Sequence, residues 1–120
     1  MLEIIINQLF EKNPEEYDHE DMEHFQEFKR ALNLGKARAA EPDTGSPHGW
    51  RVNSWVKRGI LVGFRMGRTV DMSPGGGGFS FFDKSTFPTK NIGLEDGVRI
   101  VPGGSSIRDG AYIGKSVTCM

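Results

Sequence analysis

The chain has 120 residues, of which 26% are charged, and a formal net charge of −1, which predicts one domain with a modest core and argues against a surface for nucleic acid or anionic membrane. Cys119 is the single cysteine, so no internal disulfide can form, and this fits a reducing, cytoplasmic setting. The short apolar start carries Glu3, unlike a signal peptide, and no stretch approaches the roughly 20 apolar residues of a membrane helix, so we expect a soluble protein.

Two amphipathic helices are predicted at the start of the chain. Residues 2–10 place apolar side chains at three- and four-residue spacing, which forms one stripe along a helix. A second helix is predicted over roughly residues 14–34, with Asn13 as its cap and Gly35 as its left-handed terminating residue, and irregular first turns are the alternative to a regular start. One side of this helix carries Met22, Phe25, Phe28, Lys29 and Leu32.

The next segments predict a hairpin followed by a buried element. Residues 36–40 and 50–53 flank a stretch rich in Pro, Asp, Gly and Ser, which favours two strands of a loose hairpin. Ser54 can cap a helix over residues 55–64. Its apolar side chains lie on nearly all sides of the helix axis, which indicates a buried element. Gly59 and Gly63 weaken that helix, so a buried strand over residues 60–64 is the alternative.

Two local motifs are weak evidence for chemistry. The glycines at 75–78 lack the Gly-Lys-Ser/Thr ending of a phosphate loop, which favours a flexible loop instead. His19 and His24 are five residues apart, whereas two zinc-binding histidines on one helix face are four apart. We therefore predict no metal site.

The last part of the chain repeats with a period of six. Ile107, Ile113 and Cys119 are six residues apart. Neither a helix nor a simple strand has this period, whereas the flat sides of a left-handed parallel β-helix do. In that register Cys119 is an inward-facing core residue rather than a nucleophile. A pair of ordinary strands joined at Gly110 is the alternative.

Arg99 lies in an alternating segment, residues 97–102, that leads into these repeats. Alternation places its side chain on the face opposite to those of Val98 and Ile100. A guanidinium held on a short strand can bind a carboxylate through two parallel hydrogen bonds. On the residues alone, a solvated strand arginine is the favoured interpretation, and a carboxylate-binding arginine is the alternative.

Four segments match a known family pattern in sequence, order and spacing: residues 50–65 (WRVNSWVKRGILVGFR), 82–84 (FDK), 97–102 (GVRIVP) and 107–113 (IRDGAYI). Together they resemble the tetrahydrodipicolinate N-succinyltransferases of bacterial lysine and diaminopimelate synthesis. The chain departs from the family pattern in its glycine-rich residues 75–78 and 103–106, which bears on loop shape more than on identity.

The resemblance implies an α+β fold in two parts. A helical N-terminal cap domain with a small hairpin, residues 1–102, would lead into the first hexapeptide rungs of a left-handed parallel β-helix, residues 103–120. The chain is expected to stop before the first coil is complete. It would then be the N-terminal, substrate-side portion of a longer enzyme.

The resemblance also implies an acyl transfer. Succinyl-CoA, a co-substrate rather than a bound cofactor, would donate its succinyl group to the amine of the ring-opened dicarboxylate substrate within a homotrimer. The family's catalytic and CoA-binding groups lie in the β-helix, beyond Met120, so no catalytic residue is expected here and the chain alone should be inactive. Arg99 is the one residue that matches a family ligand contact, to the substrate carboxylate. No nucleic acid or membrane partner is expected.

Two other functions remain open. A non-catalytic interaction or assembly module is possible because the helical cap could bind a partner or join longer subunits. A hexapeptide acyltransferase with another acyl-CoA or acceptor would share the six-residue repeat. The segment 50–65 and Arg99 argue against that second alternative.

Overall fold

A computed structural model describes all 120 residues as three helices and three two-stranded sheets. The molecule is a thin slab of 43 × 40 × 23 Å. This architecture confirms the α+β class, and none of the helices combines the length and apolar composition needed to cross a membrane. The elements are α1 (Leu2–Glu11), α2 (His19–Asn33), β1 (Ala40–Pro42), β2 (Trp50–Val52), α3 (Ser54–Met66), β3 (Thr69–Asp71), β4 (Phe82–Lys84), β5 (Arg99–Ile100) and β6 (Thr118–Cys119).

The regular helix starts at His19 rather than at residue 14, and a 3₁₀ turn at Pro14–Glu16 confirms the alternative of an irregular start. Asp18 and Asp21 form a reciprocal cap: the Asp21 amide donates to Asp18 Oδ1 at 2.9 Å, and the Asp18 amide donates to Asp21 Oδ2 at 3.0 Å. This cap satisfies orphan amides and fixes the start of α2 at His19.

Asn13 and Gly35, the predicted cap and terminating residue of the second helix, have different outcomes in the structure. Asn13 caps a separate 3₁₀ turn, Pro14–Glu16, and its Oδ1 accepts from the Glu15 amide at 3.1 Å. Gly35 follows α2 with a φ of +71°, which confirms its predicted left-handed conformation.

The core lies between the three helices. Both α1 and α2 pack against α3, and Phe87 closes the core from the segment after β4. The rings of Phe25 and Phe87 meet edge to face at a centroid distance of 5.5 Å, an arrangement that aromatic pairs favour. The buried apolar side chains are Ile6, Leu9, Phe25, Phe28, Leu32, Ala37, Val56, Val62 and Phe87.

Helix α3 confirms the helix rather than the strand alternative for residues 60–64. Its two glycines have a packing role. A Cβ added at Gly63 would lie 2.5 Å from the Phe87 ring and 2.6 Å from the Phe25 ring, and one at Gly59 would overlap the Phe28 ring. Glycine at these two positions lowers the helix propensity of α3 but lets aromatic rings pack directly against its backbone.

The hairpin is confirmed, but its first strand lies further along the chain than residues 36–40. Strand β1 pairs antiparallel with β2, with Ala40 opposite Val52. The amides of Lys36 and Ala37 both donate to the Ala31 carbonyl, at 2.9 and 3.1 Å. Residues 36 and 37 therefore still wrap the end of α2 and are not available to a strand.

The cap of α3 also differs from the prediction. Ser54 is the first helical residue and Asn53 occupies the cap position. The side-chain Nδ2 of Asn53 donates instead to the Arg38 carbonyl at 2.8 Å and to Glu41 Oε2 at 2.6 Å. Asn53 thus joins the hairpin to the helix rather than capping it.

The part of the chain after α3 contains little regular structure. Strands β3 and β4 form an antiparallel hairpin whose connection includes Gly75–Gly78. Strands β5 and β6 are parallel, with Arg99 opposite Thr118. The repeat positions Ile107, Ile113 and Cys119 are each half-buried.

Replacing Gly63 tests the close approach of the rings to α3. We expect Gly63→Ala to lower the free energy of unfolding by about 1–3 kcal/mol, because overpacking outweighs the gain of up to about 1 kcal/mol in helix propensity. Urea denaturation followed by circular dichroism measures this. Lys57→Ala, at an exposed position of the same helix, is the control and should change stability little. A more stable Gly63→Ala protein would contradict the packing role.

Candidate functional site

Arg99 begins strand β5, immediately after a tight turn. A 3₁₀ turn at Leu94–Asp96 ends at Gly97, which has a φ of +66° and so suits glycine. The Gly93 amide donates to Asp96 Oδ2 at 2.8 Å and fixes the start of that turn. The turn therefore sets the direction in which β5 leaves.

The backbone on both sides of Arg99 is hydrogen-bonded to β6 and its flank. The Arg99 amide donates to the Val117 carbonyl at 3.0 Å, and the Val101 amide donates to the Cys119 carbonyl at 3.0 Å. The Ser116 amide donates to the Gly97 carbonyl at 2.8 Å. These bonds hold the Arg99 backbone in one orientation.

The side chain of Arg99 is exposed at a shallow groove of about 700 Å³. None of the ion pairs in the structure includes its guanidinium. The apolar residues Ile92, Val98 and Ile100 also line the groove. The groove thus combines a cation with an apolar surface.

A polar network links this C-terminal region to the helical layer. The buried Lys29 ammonium group donates to the Thr86 carbonyl at 2.9 Å and lies 3.1 Å from Asp109 Oδ2. Asn33 donates through Nδ2 to Asp109 Oδ1 at 2.7 Å. Both oxygens of the Asp109 carboxylate are thus held by side chains of α2.

Asn33 completes the network through its side-chain oxygen. Its Oδ1 accepts from the Gly110 amide at 2.7 Å and from the Lys90 ammonium group at 2.6 Å. The predicted repeat unit that starts at Ile107 is therefore tied to α2 by side chains and by its own backbone.

The pKa of Asp109 reflects two opposed effects. Burial alone would raise the pKa of this carboxyl group, but hydrogen bonds from Asn33 and Lys29, with the charges of Lys29 and Lys90, lower it below its usual value. In the folded protein, Asp109 is therefore ionised at every pH at which an ordinary aspartate is ionised.

A second ion pair joins β4 to the same segment. Arg108 donates to Asp83 Oδ2 through Nε at 3.1 Å and through Nη2 at 2.7 Å. Its guanidinium also lies 5.3 Å from the centre of the Phe64 ring, within cation–π range. Hydrogen bonds from the Lys84 amide and from Arg108 lower the pKa of Asp83.

The predicted site residues and the network occupy different places. Arg99 lies on β5, whereas the network joins α2 to residues 86–110 and was not predicted from the sequence. The sequence feature that could have revealed the network is Lys29, a cation on the otherwise apolar side of α2, because a buried ammonium group needs a polar or charged partner. His19 lies 3.3 Å from Glu23 at the start of α2, and no cluster of three metal-binding side chains occurs.

The sequence matches one family model and several curated proteins. Residues 1–66 match the model described as the tetrahydrodipicolinate N-succinyltransferase N-terminal region. The 2,3,4,5-tetrahydropyridine-2,6-dicarboxylate N-succinyltransferase of Methylococcus capsulatus is 38% identical over an alignment of 124 positions, gaps included, which covers 97% of this chain and 44% of that protein. Enzymes of the same name from Herminiimonas arsenicoxydans and Nitrosococcus oceani are each 39% identical, over 74% of this chain and 32% of their own length. The chain thus spans less than half the length of these relatives.

Neutralising Asp109 tests the network. We expect Asp109→Asn to lower the free energy of unfolding at neutral pH by about 1–3 kcal/mol, because the buried Lys29 loses its charged partner. Urea denaturation measures the loss. Glu27→Gln, on the exposed side of α2, removes a charge without touching the network and is the control. Equal stability of Asp109→Asn and the unchanged protein would show that the network contributes nothing.

The same network predicts a pH dependence. A carboxyl group whose pKa is lowered by folding stabilises the protein above its unfolded pKa, here the ordinary 3.8, and loses that contribution as pH falls through the folded value. The stability difference between the unchanged protein and Asp109→Asn should therefore be constant near neutrality and shrink below about pH 4. A difference that grew with acidification would contradict the sign.

Proposed function

The chain belongs to the tetrahydrodipicolinate N-succinyltransferase family, and we propose that it forms the N-terminal portion of an enzyme that transfers succinyl from succinyl-CoA to tetrahydrodipicolinate. The observation that carries this proposal is 38% identity to a protein named for that activity, along 97% of the chain and hence through β5. The reaction belongs to diaminopimelate and lysine synthesis, and we place it in the cytoplasm.

Arg99 is proposed to bind a carboxylate of the dicarboxylate substrate. Its backbone is held by hydrogen bonds to β6 while its guanidinium is exposed at a groove, which supports this role. A guanidinium can form two parallel hydrogen bonds with a carboxylate, and a fixed strand lowers the entropy lost on binding.

Residues 103–120 are proposed to begin a left-handed β-helix, after a cap domain of residues 1–102. Parallel pairing of Thr118 with Arg99, which lies just before this segment, supports this, because a spacing of nineteen positions is close to the about 18 residues of a three-hexad coil. The half-buried Ile107, Ile113 and Cys119 fit inward positions whose cover comes from a following coil.

The proposed chemistry needs groups that we do not assign within this chain. Acyl transfer to an amine requires a base for the amine proton and hydrogen-bond donors for the thioester oxyanion. We propose that both come from the β-helix of the complete enzyme, a homotrimer. Succinyl-CoA acts as co-substrate, and the 120 residues alone contribute the substrate-binding side.

A chimera tests the proposed function. Residues 1–120 replace the matching region of the Methylococcus capsulatus relative, and release of the CoA thiol is followed with succinyl-CoA and tetrahydrodipicolinate. We expect release by the chimera and none by the 120-residue chain alone. A chimera that folds but stays inactive, beside an active intact relative, would contradict the proposal and favour a non-catalytic module.

Arg99 can be tested in the same chimera. We expect Arg99→Ala to weaken substrate binding by about 2–5 kcal/mol, as for loss of one partner of an enclosed charge pair. The Michaelis constant for the dicarboxylate would then rise by about 30-fold or more, with that for succinyl-CoA little changed. Arg38→Ala, at an exposed position elsewhere, is the control. An unchanged constant for the dicarboxylate would remove Arg99 from the site.

A further inference from the structure

Two segments of the chain connect the helical layer to the β5–β6 pair. The first runs from Lys90 to β5, and the second runs from Gly110 to β6. Beyond Lys90 and beyond Gly110, these segments make no hydrogen bond or ion pair with an α-helix. They approach the helices again where the Tyr112 ring lies beside Gly35, at 3.3 Å from the place of a Cβ there. The polar attachment of the β5–β6 pair is therefore confined to the starts of the two segments.

Both segments start at one atom of α2. Asn33 Oδ1 accepts from the Lys90 ammonium group at 2.6 Å and from the Gly110 amide at 2.7 Å. Asn33 Nδ2 donates at 2.7 Å to Oδ1 of Asp109, the residue before Gly110. One side chain thus holds the starts of both segments and sets the spacing between them.

The chemistry of this place suits asparagine. A side-chain amide offers an acceptor oxygen and a donor nitrogen in one rigid plane. Aspartate would place a second carboxylate against Asp109, and an apolar side chain would leave Lys90 and Gly110 without their acceptor. Asn33 is also the last residue of α2, where the negative end of the helix dipole favours a nearby cation such as Lys90.

The other contacts at this junction hold residues that come before the two segments. The Lys29 ammonium group binds the Thr86 carbonyl and Asp109. Backbone hydrogen bonds also pair residues 88–90 with residues 107–109. Loss of the Asn33 amide leaves all of these contacts in place, so the junction should stay assembled while the two segments gain freedom.

The place of Arg99 depends on how firmly the two segments are held. The Arg99 amide donates to the Val117 carbonyl, so the Arg99 backbone moves together with β6. A guanidinium binds a carboxylate through two parallel hydrogen bonds of fixed direction, and a misplacement of about 1 Å is costly for such a contact. A β5–β6 pair that moves against the helices would therefore bind a carboxylate less well.

We propose that Asn33 is a positioning residue for Arg99. Its amide holds the starts of both segments, and the β5–β6 pair then presents the Arg99 guanidinium at one place relative to the helices. Asn33 does not line the groove at Arg99, so it acts through the backbone and not by touching the ligand. The carboxylate ligand of Arg99 rests on the function proposed above, whereas the placement of β5 by Asn33 does not.

Spin labels measure the placement of β5 in the 120-residue chain. In a Cys119→Ser background, Lys57→Cys on α3 and Leu94→Cys in the turn before β5 carry nitroxides at exposed positions. We expect one narrow distance distribution in double electron–electron resonance, and an about two-fold broader one after Asn33→Ala, with the circular dichroism of the helices unchanged. Equal widths for the chains with and without Asn33→Ala would overturn the proposal.

A matched control and an exchange variant separate positioning from general damage. Asn53→Ala also removes an amide that makes two side-chain hydrogen bonds, but at the β1–β2 hairpin, and it should leave the width unchanged. Asn33→Asp combined with Asp109→Asn keeps the acceptor for Lys90 and Gly110 and reverses the bond between positions 33 and 109. The narrow distribution should return in this double variant, whereas Asn33→Asp alone should stay broad. A double variant as broad as Asn33→Asp alone would overturn the proposal.

Enzyme kinetics test whether the placement serves Arg99. In the chimera, Asn33→Ala should raise the Michaelis constant for the dicarboxylate by about 10-fold, with kcat and the constant for succinyl-CoA little changed. A purely structural defect would instead lower the active fraction, and hence the apparent kcat, and leave both constants unchanged. In an Arg99→Ala background, Asn33→Ala should have no further effect, because the two residues act through the same contact.

The two measurements let either proposal fail alone. If Arg99→Ala raises the constant for the dicarboxylate but Asn33→Ala does not, Asn33 is not a positioning residue for Arg99. If the chimera is inactive, or Arg99→Ala has no effect on it, the proposed function or the proposed ligand of Arg99 fails. The spin-label distances then decide by themselves whether Asn33 places β5.

Discussion

Gly59 and Gly63 allow phenylalanine rings to lie directly against the backbone of α3, and the helical layer is arranged around that contact. Phe25 and Phe28 bring α2 onto α3, while the Phe87 ring at Gly63 draws the segment after β4 into the same core. The C-terminal region then attaches to α2 through polar groups. The placement of the residues in this network therefore depends on the packing of α2 against α3.

Most of the helical part could be predicted from the sequence because it is amphipathic. Apolar spacing predicted α1, and the alternative of a strand at residues 60–64 failed because aromatic rings fill the space that the glycines leave. The start of α2 was missed since Asp18 and Asp21 cap it together, a pattern without Ser or Thr. Strand β1 was misplaced because Lys36 and Ala37 still bond to the helix end.

The candidate site, too, could be predicted from the sequence only in part. Arg99 could be singled out because its neighbours form a short local motif that resembles a known family. The network around Asp109 could not, since Lys29 and Asn33 come from a helix about 80 residues earlier and no local pattern reports such a pairing. The sequence feature that indicates a buried ion pair is Lys29, a charged residue on the apolar stripe of α2. Only the packed structure shows that its carboxylate partner is Asp109.

The distance along the chain between bonded groups also bears on the order of folding. Arg99 and Thr118 pair across few residues, whereas the bond from Asn33 to Asp109 closes a loop of 76 residues. Loop-closure entropy grows with that length, so we expect the network to form after the helical core and to open before it. In native-state hydrogen exchange the Gly110 amide, bonded to Asn33, should exchange through a smaller opening than amides within α3. The C-terminal region would then detach from α2 when this network opens, while the helices stay folded.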